Sequence, residues 1–503
     1  LHNVRAAAAE RSTELTLAAL VVAAAALRFW RIGHQSFWYD ESFTVMLLRH
    51  HSLGQVLGLL PRTELTPPLY YCLLWFWAHV FGYGEVGLRS LSAVAGVATV
   101  PVVFAAAAEL VSRRAGLVAA ALAACNPLMI WYSQEARSYA VLLLLASLSL
   151  LAFARIRSLG ASRGRMVAWA VAAALTLATH YFGIVAVVPE ALWLLWRHRL
   201  DRRVLTAVVA VAVVGGSLLP IGLTQRTNAT WIADWPLGPR MGQIPAQLVL
   251  GTGAPARTWL KVAAAVAVAL ALVLLARRAS SAERRGAILA GGLAAAGLAL
   301  ALVLIPIGVD ELITRNVILI LLPLIMLVAA GFGARRARAL GAVAAAMLCV
   351  VGIVAAVGVA LDMGLQRPDW RAVAAAIQLD PSRVVARAIV IERYSALLPL
   401  AIDLPGLHTL KPRGARVQEV DVIAADDTAP GWFCWWGASC NLVPAQIDSA
   451  LRLPGFRRAG MVDVAQFSIL RLRSDKPLRV MPRSLARALG RATYPDALMV
   501  QRP

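Results

Sequence analysis

The chain has 503 residues, 60% of them hydrophobic, and a mean hydropathy of +0.69. Soluble globular proteins rarely exceed half apolar residues, so composition alone excludes a soluble enzyme. The net charge of +22, from 49 basic and 27 acidic residues, sits mostly in short loops between apolar runs. That is the pattern of cytoplasmic loops, and it argues against a nucleic-acid partner.

In chain order, apolar runs near 14–30, 86–110, 115–131, 138–155, 166–183, 184–197, 204–223, 258–276, 286–308, 316–333 and 341–361 predict about eleven transmembrane helices. The first run lacks the small-residue exit site of a cleavable signal and is expected to stay as a span. Arginine-rich connections ("SRR" at 112–114, "RIRSLGASRGR" at 155–165, "RHRLDRR" at 197–203, "RRASSAERR" at 277–285 and "ARRARA" at 334–339) alternate with loops poorer in arginine at 131–137, 181–183, 224–257 and 309–315. The positive-inside rule makes the first set cytoplasmic and sends the chain after residue 361 outward. Between the first two spans, residues 42–83 are ambiguous. "LTPPLYYCLLWFWAHVFG" is long enough to cross, but its Pro67-Pro68 start and its Trp, Tyr and His content suit an interfacial helix.

Residues 362–503 change character. Acids become common and apolar runs shorten. "RPDWRAVAAAIQ" and "YSALLPLAI" read as helices, and "RAIVIE" and "QFSILRLR" as strands. The expectation is a membrane domain over 1–361 and an extracytoplasmic α/β domain over 362–503. Cys434 and Cys440 lie six apart in "FCWWGASCN", which in an oxidising compartment suits a small disulfide loop; two free thiols are the alternative. Trp432, Trp435 and Trp436 beside them suit sugar stacking, a domain core or a membrane belt equally. Cys72, Cys125 and Cys349 sit in apolar runs, as packing residues do.

Only fifteen acids occur in residues 1–362. Some lie at cytoplasmic ends, where Glu109 is spaced to pair with Arg113. Most gather on the outer side: Asp40, Glu41, Glu64, Glu85, Glu135, Asp234, Asp310, Glu311 and Asp362. Glu190 falls well inside a span, where an acid is either functional or paired with an arginine. Outer-side arginines are fewer than cytoplasmic ones, and Arg89, Arg137 and Arg315 stand at the membrane boundary. Guanidinium at a bilayer boundary can hold phosphate, anchor to head groups or pair with neighbouring acids. Carboxylates and guanidiniums gathered on one face suit a clamp on a lipid-linked phosphate and a base for an incoming hydroxyl. No His/Cys/Asp spacing announces a metal site, no cofactor is expected, and a divalent ion between Asp40 and Glu135 has no support in the sequence.

Six segments in order carry a resemblance: "FWYDESFT" (37–44), "LTPPLYYCLLWFW" (65–77), "NPLMIWYSQEARSYAVLLLLA" (126–146), "ATHYFG" (178–183), "ITRNVILILLPLI" (313–325) and "RPDWRAVAA" (367–375). Over roughly residues 12–375 the chain resembles bacterial GT-C membrane glycosyltransferases of the protein O-mannosyltransferase and aminoarabinose-transferase superfamily (glycosyltransferase family 39-like). The resemblance implies a first outer loop with two interfacial helices and a catalytic Asp, so that 42–83 lies at the interface and Asp40 outside. It implies a multi-pass protein of the bacterial plasma membrane, with a polyprenyl-phosphate sugar donor and an extracytoplasmic acceptor: glycan, glycolipid or protein. By motif match Asp40 is the base, and Glu41 orients the acceptor or a neighbour. Glu135 is a second acidic position near the donor, Arg137 and Arg315 hold the phosphate, and His180 and Tyr181 line the sugar pocket. Relatives commonly follow the arginine with Tyr; this chain has Asn316. The rival reading is a transporter or lipid-linked-sugar flippase. It would also set charges at membrane depth, but no internal repeat or matched pair of broken helices supports it.

Overall fold

A computed structural model describes residues 2–199, 201–255, 257–378, 386–391, 397–425, 452–488 and 498–501. Cys434, Cys440 and the neighbouring tryptophans lie outside these described residues. The chain divides into two compact units. One comprises Leu1–Ile32 and Leu47–Gly358, the other Gly33–Met46 and Val359–Pro503.

The first unit is all helical. Among the described residues seven helices are long and apolar enough to cross a membrane: Glu10–Phe29, Glu85–Leu110, Tyr139–Leu159, Arg202–Gln225, Thr258–Arg278, Ser281–Ile307 and Arg338–Leu361. The pair Arg113–Cys125 and Pro127–Ser133, bent by 57°, passes the same test when its two pieces are taken together. The bend has a local cause. Asn126 caps the second piece by accepting from the Met129 amide at 3.0 Å, and Pro127 cannot continue the first. The other expected spans are helices too short for that test: Arg163–Thr179, Ile184–His198 and Leu321–Phe332. Residues 42–83 form three short helices, Tyr39–Arg49, Leu53–Thr63 and Leu69–Phe81.

Apolar side chains such as Val22, Leu192 and Ile288 are largely exposed, as lipid-facing residues are. Inside, small residues let backbones touch. A Cβ on Gly331 would fall 2.0 Å from the Ala271 carbonyl oxygen, and one on Gly286 2.2 Å from that of Leu110. Two expectations about acids change here. The helix carrying Glu109 ends at Leu110, and the next starts under the Ser112 cap, so the i,i+4 phase to Arg113 is lost. Glu109 instead accepts from Ser158, and Arg113 meets Glu10 at 3.6 Å. Buried Glu190 takes no arginine: its Oε2 accepts from Ser149 Oγ at 2.6 Å and Trp169 Nε1 at 2.8 Å.

The second unit contains a mixed sheet. Its described strands are β1 (Arg387–Ile391), β2 (Leu407–Thr409), β3 (Ala415–Ala425), β4 (Arg457–Val464), β5 (Phe467–Val480) and β6 (Leu498–Gln501), in the order β2-β6-β1-β3-β5-β4. β1 and β3 run parallel and the other pairings are antiparallel. One face, with Ile389, Ile423 and Ile469, packs on Trp370, Val373 and Ile377 of helix Trp370–Gln378; the other buries Val390, Val422 and Leu470. Alternation also puts Arg387, Glu419, Asp421, Arg471 and Arg473 together, with Arg387 opposite Glu419, Glu419 opposite Arg473, and Asp421 opposite Arg471. Arg473 meets Glu419 at 2.7 Å and Arg471 meets Asp421 at 2.9 Å. Arg387 and Arg471 also donate to the Ile377 carbonyl, so this buried charge network holds the end of the helix, where cations are favoured.

Candidate functional site

Three loops of the first unit are fixed by buried polar side chains. The first follows helix Leu53–Thr63. Gln225 Nε2 donates to the Leu60 carbonyl at 3.1 Å and the Thr66 carbonyl at 3.3 Å, which sets the position of Glu64 between them. The second is the "QEARS" turn at 134–138. Gln134 Nε2 donates to the Trp30 carbonyl at 2.8 Å and the Arg28 carbonyl at 3.1 Å, and Ser92 Oγ donates to the Arg137 carbonyl at 3.3 Å. Glu135 within this turn is fully buried. The third is the segment before Ile318–Ile320, where Asn316 Nδ2 donates to the Glu311 carbonyl at 2.7 Å and Thr314 donates to Gln247.

These loops bring charges together. Arg137 Nη1 meets Glu64 Oε2 at 2.8 Å, with side chains 8% and 2% exposed. Tyr71 lies against both, and its hydroxyl is 3.1 Å from Thr66 Oγ1. His180 follows the last residue of helix Arg163–Thr179 and is buried, its ring 5.6 Å from that of Tyr139. Its Nδ1 accepts from the Phe182 amide at 3.1 Å, which leaves Nε2 as the ring's other hydrogen-bonding nitrogen.

Arg315 lies over the indole of Trp231, 5.5 Å from its centroid, a cation–π contact that orients the guanidinium plane. The aromatic companion is thus supplied from 84 positions upstream, while Asn316 is occupied with the backbone. Burial pushes the Glu311 carboxyl up, Arg315 opposes that, and Asp310 adds to it. Asp310 itself is held low by two hydrogen bonds from Arg240, at 2.7 and 2.9 Å.

Of the residues singled out in the sequence, Arg137 and Arg315 both act electrostatically on His180. Tyr181 donates to Gln225 Oε1 at 2.7 Å. Asp40 and Glu41 belong to the second unit, in the first turn of Tyr39–Arg49, where carboxylates suit the helix dipole. Asp40 is half-buried; Glu41 is fully buried and accepts from the Trp38 amide at 3.4 Å. Arg89 is buried and donates to the Ile32 carbonyl at 3.0 Å. Glu64, Tyr71, Trp231 and Arg240 have no signal in the sequence as partners here; Glu64, Trp231 and Arg240 lie 73, 84 and 70 positions from Arg137, Arg315 and Asp310. Among the described residues no group of three or more His, Cys, Asp or Glu is placed to hold a metal ion.

A family model described as dolichyl-phosphate-mannose-protein mannosyltransferase matches residues 66–221. No curated protein matches the sequence. Among solved structures, ArnT from Cupriavidus metallidurans in the apo state aligns with a TM-score of 0.56 at 13% identity, covering 92% of this chain and 98% of that one. The same protein bound to undecaprenyl phosphate aligns with a TM-score of 0.53 at 13% identity, covering 91% and 97%. The likeness is one of fold. It extends over nearly the whole of both chains.

Proposed function

We propose that the protein is an inverting membrane glycosyltransferase that moves a sugar from a polyprenyl-phosphate donor to a hydroxyl of an extracytoplasmic glycan, glycolipid or protein. The observation that carries this reading is a pair of guanidiniums from separate loops, each fixed by a partner distant in sequence: Arg137 by Glu64 and Arg315 by Trp231. It is supported by a fold like that of a protein crystallised with undecaprenyl phosphate. In this reading the shorter helices complete about eleven passes, residues 362–503 lie outside, and the arginine-rich loops face the cytoplasm.

In the proposed chemistry the Asp40 carboxylate takes the acceptor proton as the acceptor oxygen bonds to the anomeric carbon. The bond from that carbon to the phosphate oxygen breaks with inversion, and polyprenyl phosphate leaves. The transition state has oxocarbenium character, as in glycoside cleavage. Phosphate is a good leaving group and needs no strong general acid; Arg137 and Arg315 stabilise its charge. Glu41 and Glu135 position acceptor and donor, and His180 and Tyr181 line the sugar's pocket. Positioned proton transfer contributes about 10²–10⁴-fold. Asp40→Asn should therefore lower transfer from a polyprenyl-phosphate sugar by about that factor while leaving donor binding near wild type. Unchanged transfer would overturn the proposal.

A further inference from the structure

At the far end of the first unit from Arg137 is an open groove of about 570 Å³, between helices Ile184–His198 and Ser281–Leu304 and the end of Tyr139–Leu159. Helix Tyr139–Leu159 starts two residues after Arg137 and rises about 27 Å by Arg157 at 1.5 Å per residue, or roughly one hydrocarbon thickness. The groove's walls are apolar, formed by residues such as Pro189, Ile288 and Gly292. Its polar lining consists of Arg157 and Arg285 together with the indoles of Trp193 and Trp196.

The two guanidiniums are close enough to repel each other. Among the described residues neither has a carboxylate within 4.0 Å. The acids beside them, Glu283 two positions from Arg285 and Glu109 bonded to the neighbour of Arg157, are otherwise engaged. Glu283 accepts from the Ser280 amide at 2.7 Å and the Arg335 amide at 3.2 Å, and Glu109 accepts from Ser158. Arg157 spends one nitrogen on the Leu110 carbonyl at 3.2 Å. Arg285 and Trp196 are exposed, and a Cβ on Gly292 would meet nothing within 4 Å. Two like charges facing one apolar groove match an anion that carries a hydrocarbon chain.

We propose that this groove binds an anionic phospholipid of the cytoplasmic leaflet, its phosphate between Arg157 and Arg285 and an acyl chain along Pro189 and Gly292. The arginine-rich loops put the groove on the side where anionic phospholipid is the abundant lipid, and basic pockets between membrane helices recognise such head groups. Trp193 and Trp196 lie near the arginine-bearing end of helix Ile184–His198, and Trp193 is braced edge-on against Phe153 at 5.0 Å. The assignment is independent of the transfer reaction.

Native mass spectrometry of the full chain in detergent, with dioleoyl phosphatidylglycerol and dioleoyl phosphatidylcholine added in equal amounts, tests it. Phosphatidylglycerol adducts should predominate. Arg285→Gln, which removes a charge-assisted contact, should cut that preference about tenfold. Gly292→Trp, which fills the groove, should abolish it with helicity unchanged. Retention of phosphatidylglycerol by both variants would overturn the proposal. So would displacement by an equimolar polyprenyl phosphate, or equal stabilisation by inorganic phosphate alone, because the occupant would then be a different lipid or a free anion.

Discussion

Replacing Arg137 with Ala separates two roles for one side chain. Its ion pair with Glu64 is 2.8 Å long, and both side chains are nearly inaccessible. Breaking such a pair from one side leaves a buried carboxylate without its cation and costs about 3–5 kcal/mol. The single variant should therefore unfold at a clearly lower temperature in detergent. Pairing Arg137→Met with Glu64→Gln removes both charges, fills similar volume and keeps an acceptor for Tyr71. Stability should then recover to within about 1 kcal/mol of wild type, since neutral replacement of a buried pair is often close to isoenergetic. Donor affinity should not recover. Loss of a charge-assisted contact to phosphate, about 1.5–3 kcal/mol, predicts binding weaker by about ten- to a hundredfold in both variants. Equilibrium binding of a polyprenyl-phosphate sugar to the three proteins is the assay. If the double variant binds donor like wild type, Arg137 is a structural residue only.

Three further outcomes follow from the same kind of reasoning. Asp310 is held below the ordinary carboxylate range by Arg240, so its contribution is present above that range and is lost as pH falls through its folded value. Thermal midpoints measured downward from pH 5 should drop, and Arg240→Gln should remove that part of the slope. Asp421 has the opposite sign. Burial and then Glu419 push its carboxyl up to about 6, from 3.8, against Arg471 and Arg387. Its contribution is fully present below 3.8 and is lost as pH rises through about 6, so Asp421→Asn should flatten the stability of the sheet-bearing unit between pH 4 and 7. Glu190→Gln retains an oxygen for Ser149 and Trp169 and should be nearly neutral in thermal unfolding, whereas Glu190→Leu strands two buried donors at about 1–3 kcal/mol each.

Helices of the membrane unit are legible wherever a long apolar run ends at arginines, because length and charge asymmetry act locally. The run at 115–131 shows the limit. Apolarity continues through it, but Asn126 and Pro127 break the helix, and only their capping geometry reveals the 57° bend. In the C-terminal region the expected strands correspond to β1 and β5, while β2, β3, β4 and β6 have no counterpart among them. β3 interrupts its apolar alternation with Glu419 and Asp421, which become tolerable only when Arg387, Arg471 and Arg473 arrive from other strands. The candidate site divides in the same way. Arg137 and Arg315 stand out as outer-side arginines, but Glu64 and Trp231, 73 and 84 positions away, are brought to them by tertiary packing that no local pattern encodes.

The most direct test is sugar transfer by purified protein in liposomes, comparing wild type with Asp40→Asn on a polyprenyl-phosphate donor and a hydroxyl acceptor. The account predicts an intact donor complex and product formation reduced about 10²–10⁴-fold in the variant. Product formed at the wild-type rate without the carboxylate would contradict it.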